Sequence, residues 1–179
     1  MRSHLRYAVS LVVAGVAIVA AVVPSAAMGN NGAGETVANA RDATAAFNDP
    51  AAAYAAGYDL LTDASDMACI DMEPDGAMGV HLVKGALVQS GNLDAARPQA
   101  LVYERDNGQL RLAAVEYVVF KSAWDGAHSA PPTLFGQQFV VNSDDNRFGL
   151  PAFYSLHAWV WKDNPSGMFQ SWNPSVHCA

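Results

Sequence analysis

His81, Glu104, Glu116 and His157 are polar residues set within, or at the end of, runs that otherwise read as apolar strands. Burying an unpaired charge is expensive, so a carboxylate or imidazole in such a place needs a partner or gives up its charge. Together the four offer two imidazoles and two carboxylates. That donor set suits a divalent transition metal such as zinc, iron, manganese or copper, and two histidines with one carboxylate leave a coordination position open. The same groups can act as acid and base in an enzyme. The plainer reading is a hydrogen-bonded Glu–His network that fixes sheet register and binds nothing. No H-E-x-x-H spacing is present, so a shared site requires the fold to gather distant segments.

Strand parity singles these residues out. Gln109–Phe120 reads as a long strand, and side chains alternate between its faces. Alternation puts Leu110, Leu112, Ala114, Glu116 and Val118 on one side, with Arg111, Ala113, Val115, Tyr117 and Val119 on the other. In the aromatic-rich segment from Pro151 to Lys162, the same rule groups Phe153, Ser155, His157, Trp159 and Trp161. A pair between Glu116 and His157 is the expected contact. His81 lies in a short strand after Gly76-Ala77-Met78-Gly79, and Glu104 ends the strand that precedes Gln109.

Other groups carry weaker signals. The Gly76–Gly79 stretch has glycines but no closely following lysine, and Asp71, Glu73 and Asp75 would repel a phosphate. A tight turn is expected there. Trp124-Asp125-x-x-His128 would put Asp125 and His128 on one helical face near Ser122 or Ser129. No G-x-S-x-G elbow supports a hydrolase, and an exposed turn is expected. His177 reads as a surface residue of the tail, and Trp159, Trp161, Trp172 and Phe169 as core packing. Cys69 and Cys178 are the two cysteines. They lack CxxC spacing and are expected to form one disulfide, closing a loop of about 110 residues.

The elements that must position these groups follow from local pattern. Glu35 to Phe47 favours helix, and Asn48-Asp49-Pro50 stops it. Asp49 is a good cap for a second short helix, Ala51 to Ala56, with Pro50 at its first position and Gly57 at its close. Leu60 to Gly76 reads as loop, and Gly79 to Val83 as a short strand. Ala86-Leu87-Val88 either extends that strand or is a separate piece. Ala100 to Glu104 and Gln109 to Phe120 flank Asn107-Gly108, a strong hairpin signal. The predicted fold class is α+β: short N-terminal helices packed on a mainly antiparallel β-sheet.

Residues 1–27 have the order of a secretory signal peptide. Arg2 and Arg6 precede an apolar run from Tyr7 to Val23, and Pro24-Ser25-Ala26-Ala27 supplies the small-residue cleavage site. Residues 28–34 are rich in Gly and Asn and read as a flexible segment. Residues 35–179 remain as a single α+β domain, long enough to bury a core. The formal net charge is −7, more negative once Arg2 and Arg6 are removed. That argues against nucleic acid, and against a membrane after cleavage, because both need a basic footprint.

The residues Gly76–His81, Pro98–Glu104, Val115-Glu116-Tyr117, Pro131–Gly136, Leu156–Trp159 and Asn164–Phe169 together resemble a family of exported bacterial proteins of unknown function. The resemblance covers the chain from about Phe47 onward. It implies an exported compact domain and no particular activity. The expectation is a secreted or periplasmic protein that binds a small ligand or a metal ion, the latter a divalent transition metal, through His81, Glu104, Glu116 and His157. The alternatives are an extracytoplasmic enzyme using those residues and an interaction protein with no site.

Overall fold

Two short helical pieces open the structure because the local signals agree. A computed structural model describes residues 36–178; the expected signal segment 1–27 and the stretch 28–34 lie outside them. Helix α1 (Val37–Thr44) runs into a 3-10 turn (Ala45–Asn48), and α2 (Pro50–Ala55) follows. The Asp49 carboxylate accepts from the Ala51 N–H at 2.9 Å, with Pro50 at the first helical position. That satisfies an otherwise orphaned donor.

The remaining chain builds an antiparallel sheet. Its strands are β1 (Asp59–Leu60), β2 (Cys69–Met72), β3 (Gly76–Val83), β4 (Ala100–Asp106), β5 (Gln109–Phe120), β8 (Val140–Asn142) and β9 (Phe153–Ala158). A separate small hairpin pairs β6 (Thr133–Leu134) with β7 (Gln137–Gln138). The order across the main sheet is β1-β3-β4-β5-β9-β8, with β2 also paired to β3. Helix α3 (Gly85–Ser90) follows β3, and α4 (Lys121–Asp125) follows β5. The architecture is α+β, as expected. Asn107 and Gly108 both take positive φ, 51° and 79°. This is the geometry that lets a two-residue turn match the twist of its strands.

One face of the sheet carries the larger core. Leu101, Tyr103, Val115, Tyr117 and Val119 pack there with Ala40 of α1 and Ala53 of α2. Tyr58, Tyr103 and Tyr117 donate their hydroxyls to the carbonyls of Pro98, Phe47 and Ala95 at 2.7–2.8 Å. Each ring fills the core while its polar tip ties a covering segment down. The other face holds a smaller cluster of Ala77, Val102, Ala113, Ala114, Trp159 and Val176. The tail lies over it and is joined to the sheet by the Cys69–Cys178 disulfide, with Cα atoms 5.5 Å apart.

Several local expectations give way to the tertiary structure. The expected 60–76 loop starts on the last residue of β1 and contains β2, and both strands pair with β3. Ala86-Leu87-Val88 is helical, within α3. Gly76 to Gly79 is not a tight turn but the irregular start of β3. Gly76 and Gly79 have φ of +92° and +90°, and a β-carbon on them would stand 2.1 Å from the Asn173 carbonyl oxygen and 2.6 Å from that of Tyr103. The glycines are needed because backbone approaches backbone.

Strand parity also fails at two points. The β4–β5 register shifts between Val102 and Tyr103, which pair with Ala114 and Leu112. This irregularity carries Leu110 and Leu112 to the helix side, with Val115 and Tyr117, rather than to the Glu116 side. Strand β9 ends at Ala158. Trp161 then turns toward α1, donating to Thr44 Oγ1 at 3.0 Å beneath the Arg41 guanidinium.

Candidate metal centre

Register brings the site together. Glu116 on β5 lies opposite His157 on β9 and opposite Ala100 on β4, while His81 on β3 lies opposite Val102, which in turn faces Ala114. His81 and His157 therefore stand on strands separated by two others. Three strand spacings of about 4.8 Å put their backbones roughly 14 Å apart. Two inward-leaning imidazoles close that gap only over small neighbours. Ala100 and Ala114, both fully buried, supply them.

The resulting distances are short. Nε2 of His81 is 3.3 Å from Nε2 of His157 and 3.5 Å from Oε2 of Glu116. Nδ1 of His157 is 3.3 Å from Oε1 of Glu116. That last contact lacks hydrogen-bond alignment, so His157 Nδ1 is a buried polar atom with no hydrogen-bond partner among the described residues. Such an atom typically costs about 1–3 kcal/mol. One ligand atom from each of the three residues lies within 4.8 Å of the other two. Bonds of about 2.0–2.1 Å to a tetrahedral ion imply ligand–ligand edges of about 3.3–3.4 Å; the two separations from His81 Nε2, to His157 Nε2 and to Glu116 Oε2, fall at that scale.

Burial sets the charge state. His81 and His157 are 2% and 1% exposed. Burial lowers the pKa of each to about 4; for His81 the nearby Glu116 opposes this, His157 adds to it, and a hydrogen bond with the Gly79 backbone opposes it. Both rings are thus neutral at neutral pH, the form that ligates metal. Burial raises the pKa of Glu116, against the pull of His81 and a hydrogen bond from Ser155. The Ser155 hydroxyl in turn accepts from Asn142 Nδ2 at 3.1 Å. The Trp159 ring stacks near His157, with centroids 6.2 Å apart, and screens it on the tail side.

Glu104 does not join the group. Its register partner is Arg111, five positions before Glu116 along β5, and its carboxylate pairs with the Lys162 ammonium at 2.7 Å. Asp125 and His128 do not meet as a catalytic pair either: Asp125 pairs with Lys121 and accepts from the Tyr154 hydroxyl, and the exposed His128 ring stacks on Trp124. Sequence reasoning placed Ser155 on the His157 face but assigned it no role. Asn142 and the wall supplied by α3 had no sequence signal, because they reach the site only through pairing of β8 with β9 and the path of the chain after β3.

A cavity of about 240 Å³ opens over this half of the face. His81, Glu116 and Ser155 line it, while His157 lies beneath. No helix among the described residues is long and apolar enough to cross a membrane. Comparison of the chain with protein-family models, with curated proteins and with solved structures finds no match.

Proposed function

We propose that this protein binds a divalent transition metal through His81, His157 and Glu116, in an extracytoplasmic compartment. The observation that carries the reading is the convergence of two neutral imidazoles and one carboxylate, with one ligand atom from each within 4.8 Å of the other two. Ser155 holds the carboxylate, and Trp159 shields the deeper histidine. The donor set favours zinc or iron(II) over magnesium or calcium, which prefer all-oxygen shells. The Cys69–Cys178 disulfide supports an oxidising compartment, secreted or periplasmic.

Three protein ligands beside a cavity match the open-position pattern of catalytic sites rather than the four-ligand closure of structural ones. An enzyme acting on a bound molecule is therefore the second reading.

The test is elemental analysis of protein purified from its native compartment, with a zinc titration of the chelator-stripped form. Saturation at about a hundred times Kd stabilises by about 2.7 kcal/mol, which raises Tm by about 5–10 °C for a domain of this size. No bound metal and no thermal shift with zinc, iron(II), manganese or copper would sink the proposal.

A further inference from the structure

The cavity above Glu116 has a lining that selects its contents. Its walls are apolar, among them Val83 and Val88 from β3 and α3, Val118 and Phe120 from β5, and Phe148 and Phe153. Its polar groups are few and grouped: His81, Glu116, Ser155 and Asn142 lie together, with Gln89 and Ser171 elsewhere on the wall. Glu116 is 8% exposed, so its carboxyl meets the cavity from an almost fully buried position. No lysine or arginine lines the space.

That absence decides the ligand class. In the metal-free protein an anionic head group would face a carboxyl with no cation to receive it. A large polar molecule would strip its water against valines and phenylalanines without replacement hydrogen bonds. An apolar cavity of about 150 Å³ accepts benzene. By proportion, the observed 240 Å³ suits a molecule of roughly ten non-hydrogen atoms. The mouth is flanked by Val140, which is 56% exposed on the edge strand β8.

We infer that the cavity is a binding site for a small uncharged molecule, with an aliphatic or aromatic body against Val88, Val118 and Phe153 and a single hydroxyl directed at Glu116, His81 and Ser155. The hydroxyl donates to the Glu116 carboxylate, beside the Ser155 hydroxyl that also donates to it, and the body takes the apolar wall. The inference goes beyond metal binding and stands without it, since the body, charge and head-group arguments use the metal-free groups.

The probe is 4-propylphenol, followed by methyl NMR on the metal-free protein, with propylbenzene and 4-propylbenzoate as controls. The phenol is expected to saturate with a Kd on the order of 0.1 mM. Propylbenzene binds at least about tenfold more weakly for want of the hydroxyl, and the benzoate does not bind. Val118→Phe, which fills the cavity from β5, weakens the phenol at least about tenfold. Val88→Phe repeats the test from α3 should the first variant fail to fold. The inference is overturned if the phenol does not bind, if the benzoate binds more tightly than the phenol, or if either folded variant keeps full affinity. The same samples are titrated with zinc. Zinc uptake without phenol binding removes this inference and leaves the metal centre, and phenol binding without zinc uptake does the reverse.

Discussion

Nε2 of His81 and Nε2 of His157 stand 3.3 Å apart although the residues are 76 positions apart in the chain and two strands lie between theirs. The contact exists because Ala100 and Ala114 leave room between them and because Glu116 shares the space. A metal, or one shared proton, is what such a pair of neutral rings accommodates.

The three-residue assignment is separable from the four-residue expectation. His81→Gln, His157→Gln and Glu116→Gln should each weaken zinc binding at least about 100-fold, more than the 10–100-fold typical of outer-shell changes. Glu104→Gln should leave it unchanged, since that carboxylate pairs with Lys162 instead. A competition titration against a zinc chelator measures all four. A loss in Glu104→Gln equal to that in Glu116→Gln would refute the geometry.

Stability should depend on pH through the buried histidines. An unfolded histidine titrates near 6.5, and these two titrate at about 4 in the fold. Between those values the unfolded chain holds more protons. Stability is therefore full above pH 6.5 and is lost as pH falls toward 4, by up to about 1.4 kcal/mol per pH unit for each histidine. Glu116 runs the other way: its raised pKa means that the fold loses stability as pH climbs through the carboxylate range. Urea denaturation of the metal-free protein from pH 7 to 4.5 should show a steeper acid loss in Glu116→Gln than in wild type. A flat profile in both would rule out buried neutral histidines.

Gly79 is held at φ +90° with the Tyr103 carbonyl oxygen where a β-carbon would stand, two residues before His81. Gly79→Ala should cost about 1–3 kcal/mol or more and should also displace His81. The readout is a paired loss of denaturation midpoint and zinc affinity. Gly91→Ala, at φ +68° with open space around it, carries the conformational cost alone and should keep zinc affinity.

The disulfide spans 109 positions and ties the tail over the second face of the sheet. Loop closure of that length is worth up to about 4–5 kcal/mol. Cys178→Ser should lower stability by a large part of that, and intact mass without reductant should show two hydrogens fewer than the reduced chain. Two free thiols in the purified protein would contradict the structure.

Much of this protein was determined by local chemistry that any segment of sequence carries. Asp49-Pro50 starts α2, Asn107-Gly108 turns the hairpin, and Glu116 and His157 keep the parity that aligns them, because caps, turns and alternation act over a few residues. Gly76 and Gly79 were legible as glycines required by the backbone, but whether by a turn or by a strand pressed against its neighbours depended on residues 103 and 173. The irregularity between Val102 and Tyr103 moved Leu110 and Leu112 to the opposite face, and the bend after Ala158 moved Trp161. Both are responses to packing against other segments, which no window of sequence contains. The same holds for the site. Sequence singled out two histidines and two glutamates as polar groups in apolar runs. Only strand order and register decided that His81 joins Glu116 and His157 while Glu104 is drawn away to Lys162, because side-chain contact is a matter of distance across the sheet rather than along the chain.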